Sequence, residues 1–149
     1  MTSLLFQFRL QSRHGASAGD ASLSVDFRNG DQEPWLPLEP SLQTPGFRLY
    51  LLSLLLCQHH YLVANALGRH LPLAAVDGVL SVATSADWMI ETVSGNFQVR
   101  LAAAEGAGAT ATALDEKTLA FLERRMKVCP VSRNLPGTVS KTIVVEAAR

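Results

Sequence analysis

The sequence predicts an α+β fold in which a mostly antiparallel sheet packs against a long central helix and a second, shorter helix. Segments of alternating apolar and polar residues, typical of half-buried strands, occur near both ends of the chain and in its middle. Two other segments lack that alternation and carry the end signals of helices. Because the strands do not alternate strictly with helices, we expect the helices to be segregated from the sheet.

The N-terminal part of the chain predicts a β-hairpin. A first strand is expected from about Leu4 to Ser12, where apolar and polar side chains alternate. Residues 15–20 are typical of a turn, and a second alternating segment around Val25 completes the hairpin. Four prolines between Glu33 and Pro45 then disfavour a helix and indicate an extended connection.

A long helix is predicted from about Pro45 to Leu67, with Gly68 at the position where helices commonly end. At ~1.5 Å per residue it would be roughly 33 Å long. Leucines between Leu49 and Leu56 cover nearly every direction around its axis, so we expect its first half to be buried on all sides. A second copy of the chain could provide that cover.

The second half of the chain predicts a strand meander, a helix and a last strand. Strands are expected at Val76–Thr84, Trp88–Val93 and Phe97–Leu101, with a turn at residues 94–96. The segment 102–113, rich in alanine, glycine and threonine, is typical of a flexible loop.

The end of that loop predicts the start of the second helix. Residues 112–115 offer an N-terminal cap, and Leu119, Leu122, Met126 and Cys129 then recur at helical spacing. A final strand is expected from Val139 to Val145.

Length and composition limit the classes of function. The 149 residues fit one domain, 1–149, and 48% of them are hydrophobic. The formal net charge of zero gives no electrostatic basis for binding nucleic acid or an acidic membrane surface. The apolar run Leu49–Cys57 is too short to span a bilayer. Since the N-terminus lacks the pattern of a signal peptide, we expect a cytoplasmic protein.

Two cysteines, Cys57 in the long helix and Cys129 after the second one, are the leading candidates for chemistry. They favour a redox pair, although two inert thiols packed as small hydrophobes would give the same count. Pro130 would suit the first position of a new helical turn with Cys129 as its N-cap, near Arg133. Alternatively, Cys129 ends the preceding helix, and the sequence leaves both placements open.

Two histidines, His59 and His60, follow Cys57 closely and raise two further alternatives. Cys57, His60 and Cys129 are ligand types that suit zinc, but no recognised ligand spacing supports such a site. A cysteine–histidine hydrolase is disfavoured because neighbours on one helix rarely provide a base with its orienting group. The alternative without chemistry is that both histidines lie on the polar face of the helix or at an interface.

The chain resembles the OsmC/Ohr family of cysteine-based peroxidases, which reduce organic hydroperoxides. The resemblance covers most of the chain, and it is carried by Cys57 in a long apolar helix, the strand meander, the segment Cys129–Leu135 and the final strand. It implies an OsmC-like fold, an intertwined homodimer with the thiols near the interface, an organic hydroperoxide substrate and an external dithiol reductant. It implies no cofactor and no metal.

The resemblance also implies roles for individual residues. Cys57 would be the peroxidatic cysteine and Cys129 the resolving one, so that a Cys57–Cys129 disulfide forms in each cycle. Arg13 is the best positional match for the arginine that holds the thiolate and polarises the peroxide; a solvated turn arginine is the alternative.

One position departs from the family pattern. Many members carry a glutamate near the start of the central helix that orients the arginine, whereas this chain has Phe47 there. A phenylalanine cannot accept that salt bridge, and Glu39 is the candidate substitute. The departure keeps a second function open, in which a noncatalytic member of the fold binds a small molecule or senses redox state.

Overall fold

The computed structural model describes residues 3–15, 19, 21–102 and 114–148. This part of the chain forms six strands and three helices. In chain order they are β1 (Leu4–Arg13), β2 (Ser22–Arg28), β3 (Leu36–Pro37), α1 (Gly46–Gly68), β4 (Leu73–Thr84), β5 (Ile90–Leu101), α2 (Glu116–Met126), α3 (Pro130–Arg133) and β6 (Ser140–Ala147).

The strands form one sheet with the order β3-β2-β1-β4-β5-β6. Neighbouring strands run antiparallel except β5 and β6, which are parallel. A parallel pair needs a long crossover, and here the chain makes it through α2 and α3. The predicted α+β class with a mostly antiparallel sheet is therefore confirmed.

The helices cover one face of the sheet, and the core lies between the two layers. Along β1, Phe6, Phe8 and Leu10 are buried and the polar residues between them are more exposed, as the alternation predicted. The core takes residues from both layers: Phe8, Leu10, Leu51, Leu54, Leu55, Leu62, Val76, Leu80, Phe97, Val99, Leu122 and Met126.

The meander differs from the prediction at residues 94–96, which form no turn. Strand β5 continues through them, because Ser94 pairs with Ser81 of β4 on one side and with Thr142 of β6 on the other. Gly95 serves packing instead: a Cβ there would lie 2.5 Å from the side-chain oxygen of Gln58. The chain actually reverses after Thr84, where Trp88 adopts a positive φ of 66°.

The long helix α1 is covered on one side only within the chain. Leu51, Leu54 and Leu55 are fully buried, whereas Leu49 is 38% and Tyr50 42% exposed. The predicted helix is confirmed, but the described part of the chain does not bury its first half on all sides. The homodimer, in which a second molecule would complete that burial, stays a prediction.

The second helix begins where the sequence indicated. Asp115 is the N-cap of α2, and its Oδ1 accepts a hydrogen bond of 2.8 Å from the Thr118 N–H. Hydrogen bonding from the Thr118 side chain, and then from its N–H, lowers the pKa of the Asp115 carboxyl. Most of the predicted loop 102–113 and of the predicted turn 15–20 lies outside the described residues.

None of the helices in the described ranges is both long and apolar enough to cross a membrane.

Candidate functional site

Helix α1 places Cys57 near its middle, in a segment without charged side chains. No Asp, Glu, Lys or Arg occurs between Arg48 and Arg69. Gln58 is buried beside Gly95 of the sheet, while His59 contacts β1. Cys57 remains partly exposed on a helix that also contacts α3. Cys57 therefore lies at the edge of the core rather than inside it.

Cys129 lies at the start of a separate one-turn helix, which decides between the two placements left open by the sequence. Helix α2 ends at Met126, and Cys129 is the N-cap of α3, with Pro130 in the first turn. The Cys129 N–H donates to the Met126 carbonyl at 3.2 Å, and the Cys129 carbonyl accepts from Arg133 N–H at 3.0 Å. Both backbone groups are thus fixed, and the residue is fully buried.

The two cysteines form a disulfide. Their Cα atoms are 6.0 Å apart, within the usual range of about 4.4–6.8 Å. Since each sulfur is bonded to the other, the alternative of two independently packed thiols does not describe this structure. The bond also occupies both thiols of the alternative zinc site, and the third residue of that alternative, His60, packs edge-on against Tyr61.

Within one protomer, Arg13 lies on the face of the sheet opposite the one that the helices cover. Its Nη1 donates to the Ser12 carbonyl at 2.9 Å and pairs with Asp77 Oδ1 at 3.4 Å. Both side chains of the pair are about half exposed, 46% and 48%, so the pair contributes little to stability. The structure does not bring Arg13 to the disulfide within one chain, and its catalytic role stays a prediction.

A hydrogen-bonded cluster of Ser12, His14 and His59 joins β1 to α1, and the sequence analysis did not identify it. The Ser12 Oγ lies 2.9 Å from the Nε2 atoms of both histidines. Burial, reinforced by His14 and His60, lowers the pKa of His59 to about 4. The sequence contains one signal for this cluster: the alternation along β1 places the polar residue Ser12 on the buried face of the strand. The cluster fixes the middle of α1 on the sheet.

Phe47, at the position of the expected glutamate, belongs to an aromatic cluster. Its ring centroid lies 5.4 Å from that of Phe6, 5.3 Å from Trp88 and 6.4 Å from Tyr50. The rings of Phe47, Tyr50 and Trp88, together with Met89, line part of a groove of about 560 Å³. At residue 47, the phenylalanine is thus part of an apolar surface, where the family pattern would have a charged glutamate.

Neither known protein-family models nor curated protein sequences match this chain. Solved structures do match its fold. A crystal structure named for an osmotic stress induced and detoxification response protein of Psychrobacter arcticus 273-4 superposes with a TM-score of 0.55 and 12% identity, covering 82% of this chain and 87% of the other. An OsmC-like protein of Mycoplasma pneumoniae superposes with a TM-score of 0.52 and 12% identity, covering 94% and 96%.

Proposed function

Because this chain has the OsmC-like fold, with Cys57 and Cys129 joined across it, we propose that it is a thiol peroxidase that reduces organic hydroperoxides to alcohols. The observation that carries the proposal is the disulfide between a partly exposed cysteine on α1 and a fully buried one before α3. Cys57 is thus the member of the pair that is partly exposed to solvent, and Cys129 is bonded to it.

The proposed cycle has three balanced steps. The Cys57 thiolate attacks the terminal oxygen of the hydroperoxide, the O–O bond breaks, and the leaving alkoxide takes a proton to become the alcohol. The Cys129 thiol then displaces water from the Cys57 sulfenic acid and forms the disulfide. An external dithiol reduces that bond and is itself oxidised to a disulfide.

The role proposed for Arg13 requires a rearrangement. In this protomer its guanidinium is paired with Asp77, and Phe47 offers no carboxylate to draw it toward Cys57. We propose that Arg13 acts only once it leaves Asp77, from its own chain or from a second copy. Under that proposal Arg13→Ala lowers kcat/KM by about tenfold or more, as general electrostatic contributions to catalysis do, whereas Asp77→Ala leaves it unchanged or raises it. An unchanged kcat/KM in Arg13→Ala would mean that Arg13 has no catalytic role and only forms the surface ion pair with Asp77.

The assembly that we propose is a homodimer, and the compartment is the cytoplasm. The exposed apolar side chains of Leu49, Tyr50, Trp88 and Met89 support association, because these side chains lie on α1 and on the adjoining turn. The formal net charge of zero supports a protein surface as partner rather than nucleic acid. Analytical ultracentrifugation of the full chain tests the dimer directly.

A second candidate function is favoured by one observation, the aromatic groove around Phe47. A noncatalytic protein could hold a lipid-like molecule there and use the cysteines for redox sensing. The two candidates differ in the fate of peroxide: the peroxidase consumes many equivalents when a dithiol is present, and a binding protein or sensor consumes at most one.

The roles of the two cysteines are tested by two serine variants. Cys57→Ser is expected to abolish peroxide consumption. Cys129→Ser is expected to reduce one equivalent and stop as the Cys57 sulfenic acid, which a dimedone adduct identifies by mass. If both variants are equally inactive toward the first equivalent, the assignment of roles is wrong.

A further inference from the structure

The two residues of the disulfide differ in exposure, because Cys57 is partly exposed and Cys129 is fully buried. We infer that a reducing thiolate attacks Cys57 and expels Cys129, so that the intermediate is a mixed disulfide on Cys57. The inference deepens the proposed function, on which its role in turnover rests, but it concerns only the disulfide and can be tested without peroxide.

Cys129 is closed to direct attack by its surroundings. The residue is 0% exposed, and so are Leu122 and Met126 of the preceding helix. Ser132, on the far side of the single turn of α3, is 5% exposed. Both the N–H and the carbonyl of Cys129 are hydrogen-bonded, which holds the backbone in place around the buried side chain. A nucleophile reaches this sulfur only after local opening of the structure.

Cys57 is the partly exposed member of the pair. The rate of thiol–disulfide exchange depends on access to the sulfur that is attacked, and attack proceeds in line with the bond that breaks. In-line attack at Cys57 displaces Cys129 into the core, where its sulfur already lies. In-line attack at Cys129 would instead require the reductant to enter between buried side chains.

The burial of Cys129 does not depend on the state of assembly. A second copy of the chain can cover exposed atoms but cannot expose Cys129, which its own chain buries completely. The shielding of Cys129 is thus a property of the protomer, in a monomer or in a dimer.

The exchange balances in two steps. The reductant thiolate bonds to the Cys57 sulfur, the bond between Cys57 and Cys129 breaks, and Cys129 leaves as a thiolate that takes a proton. The second thiol of the reductant then attacks the reductant's own sulfur in the mixed disulfide and releases the Cys57 thiolate. The cycle therefore ends with the reactive thiolate regenerated at the exposed position.

The first test maps the mixed disulfide on the oxidised full-length chain. Glutathione serves as the probe, since a monothiol cannot complete the second step by itself. After mixing and rapid quenching with N-ethylmaleimide, peptide masses at the earliest times are expected to show glutathione on Cys57 and the maleimide on Cys129. Glutathione appearing first on Cys129 would overturn the inference.

The second test compares the rates at which the single-cysteine variants Cys129→Ser and Cys57→Ser react with the aromatic disulfide reagent dithiobis(nitrobenzoic acid). In native buffer, Cys129 is expected to react about 100-fold more slowly than Cys57, or slower still, because it waits for local opening. In concentrated guanidinium chloride the two rates are expected to become similar, which controls for intrinsic reactivity. Circular dichroism confirms that each variant is folded. Similar rates in two folded variants in native buffer would refute the inference, whatever the result of the peroxidase assay.

Discussion

Cys57 of α1 and Cys129 at the start of α3 are 72 residues apart in the chain and joined by a disulfide. The bond closes a loop that contains β4, β5 and α2. In the chain-entropy model, a cross-link of this span restricts the unfolded state and stabilises the fold by roughly 4 kcal/mol, whereas disulfides typically contribute about 2–4 kcal/mol.

Reduction is therefore expected to lower the free energy of unfolding by about 2–4 kcal/mol. Guanidinium unfolding with and without dithiothreitol measures the change. The double variant Cys57→Ala/Cys129→Ala is the control, and its unfolding midpoint should not respond to the reductant. An unchanged midpoint for the reduced native sequence would show that the bond does not stabilise this fold.

Gly78 is required by its neighbour rather than by its backbone angles. A Cβ at this position would lie 2.7 and 2.8 Å from two ring carbons of Phe97, which is fully buried and cannot move aside. Gly78→Ala is expected to destabilise the protein by about 1–3 kcal/mol through overpacking.

Gly46→Ala is the matched control for that substitution, because nothing lies within 4 Å of a Cβ added there. Its effect should stay within about 0.5 kcal/mol, as for most changes without steric conflict. Denaturant unfolding of the two variants makes the comparison, and similar losses in both would contradict the role given to Phe97.

The histidine cluster predicts that stability falls at acidic pH. Burial lowers the pKa of His59 from 6.5 to about 4 in the folded protein. Between these values the unfolded chain binds a proton at this residue that the folded chain does not, so stability rises with pH across the window and is fully present above about 6.5. The loss on acidification is at most about 3 kcal/mol, reduced by the partial exposure of the ring.

His59→Gln tests this pH dependence because glutamine can still hydrogen-bond to Ser12 but does not titrate. Unfolding free energies at pH 7 and pH 5 are compared in the native sequence and the variant, and the variant should lose the smaller amount. Burial also lowers the pKa of His14. Because His14 is present in both proteins, its contribution does not enter the difference between them. An identical loss in both would mean that His59 does not titrate as its surroundings indicate.

Most of the fold could be predicted from the sequence because its signals are local. The alternation in β1, the helical composition of α1 and the cap at Asp115 each depend on a few neighbouring residues. The error at residues 94–96 has a tertiary cause: Gly95 resembles a turn glycine in sequence, but it accommodates the buried side chain of Gln58.

The candidate site was predictable only where a motif marked it. The pairing of Cys57 with Cys129 was implied by the family resemblance, and the structure contains it. The placement of Cys129 as an N-cap depended on where α2 ends, which periodicity alone did not decide. The pairing of Arg13 with Asp77, and the Ser12–His14–His59 cluster, depend on strand register and helix rotation, which a single sequence does not encode locally.

A single-turnover reaction tests the proposed peroxidase function most directly. The reduced full-length protein is mixed with one equivalent of cumene hydroperoxide, and peroxide loss and intact mass are followed together. The account predicts rapid loss of the peroxide, formation of the alcohol and a protein lighter by two hydrogen atoms, with a peptide that links Cys57 to Cys129. Peroxide that persists while both thiols stay free would contradict it.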